Sequence, residues 1–158
     1  LVGLGLAPKR RTAFVFDAPG HDVRGWPLVV DIHERFYFKP DAGRLLVSPA
    51  DEDPVEPHDA FVDDMTLAEG LDRYQQAVAA PLTHLERSWA GLRTFTPDRT
   101  PVVGFDPSAE GFFWLAGQGG YGIQTAPALS LITAALLLDE ALPFDMDRAA
   151  LSPGRARP

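Results

Sequence analysis

Hydrophobic and polar residues alternate along most of this chain in short runs broken by Pro and Gly, the pattern of a sheet-forming domain. Thr12 to Phe16 (TAFVF) has the β-branched and aromatic content of a strand. After the Pro19-Gly20 turn, Pro27 to Asp31 begins a second strand. Arg35 to Lys39 alternates, with Phe36 and Phe38 on the face opposite Tyr37. The turn Pro40-Asp41-Ala42-Gly43 follows, and Arg44 to Ser48 returns as the other arm of a hairpin. Residues 49–63, rich in Pro, Asp and Glu, read as a surface loop.

Helical spacing appears twice. Thr66 with Glu69 forms a capping box, and Leu67, Leu71, Tyr74 and Val78 make one apolar stripe that ends before Pro81. Glu86 to Phe95 reads as a strand, Thr96-Pro97-Asp98-Arg99 as a turn, and Pro101–Phe105 and Phe112–Ala116 as two further short strands. A Gly-rich turn leads into a strongly apolar helix from Ile123 to Leu138. The tail from Pro143 is polar and expected to be peripheral. No internal repeat is present. The elements predict an α+β fold built on a mostly antiparallel sheet with two helices.

Composition narrows the function classes. The 158 residues are 46% hydrophobic and 23% charged, with a formal net charge of −8, so a phosphate backbone is not the expected partner. With no cysteine, disulfides, thiolate metal sites and Cys nucleophiles are excluded, in keeping with a reducing cytoplasm. The apolar run Ala126–Leu138 is too short to span a bilayer. The N-terminus, LVGLGLAPKRR, lacks a basic region ahead of its apolar stretch and is a poor signal peptide. It opens in mid-pattern without an initiator Met, which suggests a piece of a longer protein.

Candidate chemistry concentrates between Trp89 and Pro127. Gly117, Gly119 and Gly122 satisfy G-x-G-x-x-G, but no βαβ unit with an acidic strand end follows, so a dinucleotide fingerprint is disfavoured. Two readings of the glycines remain: clearance for a helix packed on a strand, or close backbone approach to a ligand at a helix start whose free N–H groups favour negative charge. Arg93, within the apolar WAGLRTF, calls for a carboxylate partner, from Asp, Glu or a ligand. Tyr37 offers either a core ring or a hydroxyl to a pocket. Arg10 and Arg11 read as solvated charge just before a strand. The four histidines (His21, His33, His58 and His84) have no metal-ligand spacing, and the carboxylates of the 49–63 loop read as solvated rather than as metal ligands or acid/base groups. Ser88 and Ser130 lack the context of a nucleophile elbow.

Four stretches together resemble the D-amino-acid oxidase/dehydrogenase superfamily of FAD-dependent oxidoreductases: PKRRTAFVF (8–16), RFYFKPDAGRLLVSPADEDP (35–54), SWAGLRTFTPDRTPVVGFDP (88–107) and GFFWLAGQGGYGIQTAPALS (111–130). Within that superfamily FYFKPDAG, GQGGYGIQT and the tail LSPGR are most similar to bacterial D-arginine dehydrogenases. The resemblance implies the C-terminal part of such an enzyme. Residues 1–95 would belong to the substrate domain, 96–142 to the last strand and helix of the Rossmann-like FAD domain, and 143–158 to the tail. An N-terminal FAD-binding segment of the same protein would be its partner.

It further implies that Arg93 holds a substrate carboxylate, with Tyr37 and Arg10 assisting, and that the Gly120 carbonyl takes the substrate amine. Gly119, Gly120 and Tyr121, with the helix start Gly122, Ile123, Gln124 and Thr125, would face the flavin. No residue is assigned as a catalytic acid or base, and no metal is expected. The implied reaction is oxidation of a D-amino acid to the imino acid, with hydride transfer to FAD, then hydrolysis to a 2-oxo acid and ammonia. Oxidation of glycine, sarcosine or another secondary amine is the alternative within the fold. Glycine-oxidising relatives carry an arginine in the Gly turn, where this chain has glycines and Tyr121. A non-catalytic anion-binding module is the alternative outside it.

Overall fold

A computed structural model describes residues 3–156. Two cuts, after Lys9 and after Leu92, divide the chain into Arg10–Leu92 and Leu1–Lys9 with Arg93–Pro158. The architecture is the expected α+β arrangement. A five-stranded sheet has the order β2 (Val29–Val30), β3 (Tyr37–Asp41), β4 (Arg44–Ser48), β1 (Ala7–Phe16), β5 (Leu85–Phe95), and a separate hairpin pairs β6 (Val102–Phe105) with β7 (Phe113–Ala116). Among the described residues no helix is long and apolar enough to cross a membrane.

In the Arg10–Leu92 unit, β1 (Ala7–Phe16) pairs antiparallel with β4 (Arg44–Ser48), and β4 with β3 (Tyr37–Asp41). The last five residues of β1 are buried in succession, which explains why TAFVF is apolar throughout instead of alternating. Phe14 and Phe16 join Phe38, Leu45 and Val47 in one cluster, while Ala13, Val15 and Leu46 form another with Tyr37 packed against them. The Phe36/Phe38-versus-Tyr37 division read from strand alternation is therefore the observed one.

β1 begins at Ala7, so Arg10 and Arg11 lie inside the strand rather than before it. Nor are they solvated surface charges. The Arg11 Nη2 donates to Glu52 at 3.0 Å, and Thr12 donates to the Asp51 carboxylate from its N–H (2.7 Å) and its hydroxyl (2.9 Å). The Arg10 N–H donates to the Asp53 carbonyl at 2.9 Å. A basic strand end and an acidic loop segment complement one another, and neither is recognisable as a pair when read singly. The second strand is also shorter than expected: only Val29–Val30 (β2) pairs with β3. Pro27 has no N–H for the ladder, and the Asp31 carboxylate accepts from the N–H groups of His33 and Arg35, turning the chain.

The hairpin turn lies later than the Pro-containing tetrad suggested. Pro40 and Asp41 stay in β3, with Asp41 opposite Arg44, and the two-residue turn is Ala42-Gly43 with φ of 50° and 84°. Positive φ at both central residues is the requirement of a type I′ turn. α1 (Asp64–Ala77) is capped by Asp63, whose side chain accepts the Thr66 N–H at 3.0 Å. The expected Thr66/Glu69 capping box is not formed, since Asp63 takes the capping position and Glu69 pairs with Arg73 at 3.0 Å. Leu67, Leu71 and Val78 pack on the aromatic cluster, and Tyr74 meets Phe38 edge-on at 5.4 Å.

β5 (Leu85–Phe95) runs from one unit into the other. In the Arg93–Pro158 unit, β6 (Val102–Phe105) pairs with β7 (Phe113–Ala116). α2 (Gly122–Leu137) packs Leu129 and Ile132 on Val103, and Leu151 of the polar tail completes this core. Arg155 then ties the tail to Asp98 at 3.0 Å and to the carbonyls of Thr100 (2.6 Å) and Pro101 (3.0 Å).

Tyr74 is fully buried, and its hydroxyl has no hydrogen-bond partner. Burial raises the phenol's pKa from 10.0 to about 12. A raised folded pKa gives a contribution that is complete below pH 10 and lost as pH climbs toward 12. Tyr74→Phe removes the unsatisfied oxygen. It should leave stability at pH 7 unchanged or raise it by about 1 kcal/mol, and the variant should outlast the parent between pH 10 and 12. Urea melts at both pH values check this, and a variant markedly less stable at pH 7 would show that the hydroxyl has a partner.

Candidate functional site

The site is built where the end of β5 meets the Gly turn. Gly119 donates its N–H to the Thr94 carbonyl at 2.9 Å, and Phe95 bridges Gln118. The turn lies flat on this strand end because glycine stands at its points of contact. Gly117 and Gly119 have φ of +73° and +52°, and a Cβ would come within 2.8 Å of the Thr96 methyl and 2.6 Å of the Phe95 ring respectively. Phe95 itself is 3% exposed, with Lys9 Nζ and the Arg99 guanidinium carbon each 5.0 Å from its ring centre. The glycines thus provide clearance on a strand, one of the two readings the sequence left open.

α2 starts directly after the turn, with Tyr121 as N-cap. No side chain caps it, and no acidic residue lies in its first turn. The Thr125 hydroxyl bends back to the Tyr121 carbonyl at 2.8 Å. Ile123 and Gln124 are exposed, as is Tyr121. No acidic side chain of the first turn therefore offsets the positive end of the helix dipole.

Arg93 carries the site's charge. It is half-buried, and among the described residues it makes no hydrogen bond or ion pair. Every other described arginine has a partner, as when Arg44 pairs with Asp17, Arg87 with Asp41 and Arg155 with Asp98. The Arg93 Nη1 lies 3.2 Å from where a Cβ on Gly120 would sit, so Arg93 and Gly120 adjoin. The planar fork of a guanidinium with five N–H donors and no internal acceptor is chemically matched to an incoming carboxylate.

Tyr37 and Arg10 belong to the other unit. Tyr37 is half-buried, and its hydroxyl has no hydrogen bond among the described residues. Arg10 is engaged internally: its Nη2 donates to Asp53 at 2.8 Å and to the Thr66 hydroxyl at 3.0 Å, with Asp51 3.6 Å from its Nε. His21 meets Trp26 edge-on and His58 contacts the Glu56 carbonyl. Among the described residues no group of three or more His, Asp or Glu is placed to hold a metal ion.

Three contributors were not singled out from sequence: the Thr94 carbonyl, the Phe95 plate, and the Asp98–Arg155 brace behind the 96–101 turn. Asp98 accepts from the Thr100 N–H at 3.0 Å and the Thr96 hydroxyl at 2.9 Å. The Thr100 N–H, then the side chains of Arg155 and Thr96, hold its carboxyl below the usual range. The Thr-Pro-Asp turn residues were visible, but their partner lies 57 positions away.

Comparison with known proteins shows the family. The family model described as DAO, FAD dependent oxidoreductase, matches residues 1–136. The chain belongs to this family of FAD-dependent oxidoreductases. It is 37% identical over 88% of its length to the tRNA 5-methylaminomethyl-2-thiouridine biosynthesis bifunctional protein MnmC of Caulobacter sp. (strain K31), of which it covers 25%. It is 26% identical over 87% of its length to FAD-dependent oxidoreductase domain-containing protein 1 of Xenopus laevis, covering 29% of it. Among solved structures, iminodiacetate oxidase from Chelativorans sp. BNC1 aligns with TM-score 0.79 at 22% identity, over 94% of this chain and 40% of that one. Glycine oxidase from Geobacillus kaustophilus aligns with TM-score 0.75 at 25% identity, over 94% and 39%. The chain thus spans well under half the length of these relatives. Its uncapped α2 start, with no acid in the first turn, fits a group that carries negative charge, as FAD does.

Gly119→Ala should destabilise the protein by about 1–3 kcal/mol, through overpacking on Phe95 and the left-handed φ. Gly91→Ala, where an added Cβ meets nothing within 4 Å, should stay within about 0.5 kcal/mol of the parent. Thermal melts of the two variants check the contrast, and equal losses would show that the turn does not rest on Phe95.

Proposed function

We propose that the intact protein oxidises a D-amino acid to the imino acid, which water hydrolyses to a 2-oxo acid and ammonia. The observation that carries this reading is Arg93, an arginine without a partner among the described residues, placed beside Gly120 in a chain whose family is FAD-dependent. Arg93 receives the substrate carboxylate through paired N–H donors; the family resemblance alone supports the phenol of Tyr37 as a further donor. The Gly120 carbonyl accepts from the substrate amine, which fixes the Cα between the two anchors. The turn residues Gly119 to Tyr121 and the helix start Gly122, Ile123, Gln124 and Thr125 line the cofactor side, where first-turn N–H groups favour negative charge. FAD, when bound, supplies the two-electron acceptor for the hydrogen leaving Cα. Arg10 is supported as an assisting donor by the resemblance alone, its guanidinium being held by Asp53 and Thr66. No side chain is assigned as base: an amine entering neutral needs only orientation. The absence of cysteine supports a cytoplasmic setting.

Side-chain preference is a finer proposal. The motifs FYFKPDAG and GQGGYGIQT resemble those of bacterial D-arginine dehydrogenases, which puts D-arginine on the substrate panel. The similarity to a glycine oxidase at 25% identity favours a second reading, in which glycine or a secondary amine such as sarcosine is oxidised at the same Arg93 anchor.

Anaerobic bleaching of the full-length holoenzyme's flavin by D-amino acids, glycine and sarcosine separates the readings. Fast bleaching by D-amino acids is expected, and bleaching by glycine or sarcosine alone selects the second reading. In the same enzyme Arg93→Ala should raise KM about 100-fold or more by removing two charge-assisted hydrogen bonds, with FAD still bound. An unchanged KM removes Arg93 from the carboxylate assignment.

A further inference from the structure

Gly120 differs in kind from the other glycines of its turn. Gly117 and Gly119 have positive φ, and a Cβ on either would collide with Thr96 or Phe95, so the fold itself requires glycine there. Gly120 is not among the positive-φ residues, and an L-amino acid fits its backbone. Beyond its immediate chain neighbours, a Cβ at Gly120 would meet a single atom within 4 Å, Arg93 Nη1 at 3.2 Å, inside ordinary van der Waals contact of 3.4–4 Å. That atom ends a flexible side chain. An added methyl would therefore push the guanidinium by a few tenths of an ångström and leave the backbone in place.

We infer that Gly120 is the positioning residue of Arg93: a Cβ at 120 would press on Nη1, so residue 120 sets where a carboxylate is held. This rests on the reading of Arg93 as the carboxylate ligand, and it adds a role for Gly120 that its carbonyl does not perform. A guanidinium binds a carboxylate through two parallel N–H···O bonds of fixed geometry. Sideways displacement at Nη1 disturbs one of the two. Alanine keeps the carbonyl at 120, so any effect on the amine contact is separable from the effect on Arg93.

The test is a set of full-length holoenzymes, assayed with the best substrate of the panel above and with propionate, a carboxylate lacking an amine, as competitive inhibitor. Gly120→Ala should raise both KM and the propionate inhibition constant about tenfold, the value of one charge-assisted hydrogen bond. Its melting temperature should stay within about 2 °C, because no core contact is lost. On an Arg93→Lys background, which has no Nη1, the same Gly120→Ala change should cost less than about twofold. The inference is overturned if Gly120→Ala leaves both constants unchanged, if only KM rises while propionate binding holds, or if the penalty persists with lysine at 93. Failure of the underlying reading shows separately, as propionate inhibition unaltered by Arg93→Ala.

Discussion

Gly119 lies on Phe95 with its N–H bonded to the Thr94 carbonyl, and the position of every site element in the Arg93–Pro158 unit follows from that contact. The strand end fixes Arg93, the turn fixes Gly120, and one hydrogen bond with one ring contact sets the spacing between them. α2 leaves the turn two residues later, so its direction and its free N–H groups are set by the same staple. The Asp98–Arg155 brace holds the following turn from behind, and the tail becomes part of the site's support although it contains none of its functional groups.

Electrostatics gives Arg93 its meaning. The protein is acidic, with a formal net charge of −8, and carboxylates are available to neutralise its cations. Arg10, Arg11, Arg35, Arg44, Arg73, Arg87 and Arg155 each have one. A half-buried guanidinium left without one bears a desolvation cost that a bound anion would offset. The unfilled demand lies on the strand that the sequence singled out, next to the backbone that the resemblance assigns to the amine.

Strands and helices were legible because their signals are local: β-branched runs, a Pro- and Gly-containing hairpin turn, and apolar residues at helical spacing. The misreading of the arginines has a physical cause, which is partnership at long range. Arg10 and Arg11 looked solvated because Asp51, Glu52 and Asp53 lie about 40 positions onward. Thr66 looked like an N-cap because Asp63, three residues earlier, offered a stronger acceptor only once the helix was in place. At the site, Arg93 and the glycines were visible as residue types. The distinction among glycines was not, because it depends on which atom stands opposite each Cα.

The segment between β4 and α1 has two regimes. Asp51, Glu52 and Asp53 are pinned to β1, and Asp63 is pinned to the first turn of α1, while Glu56 to Asp59 lie in solvent. Closure entropy rises only as the logarithm of loop length once both ends are fixed. Those solvated positions are therefore the place where the chain can grow: a peptide tag or an inserted domain would meet firm anchors on either side, and the sheet behind them would keep its register.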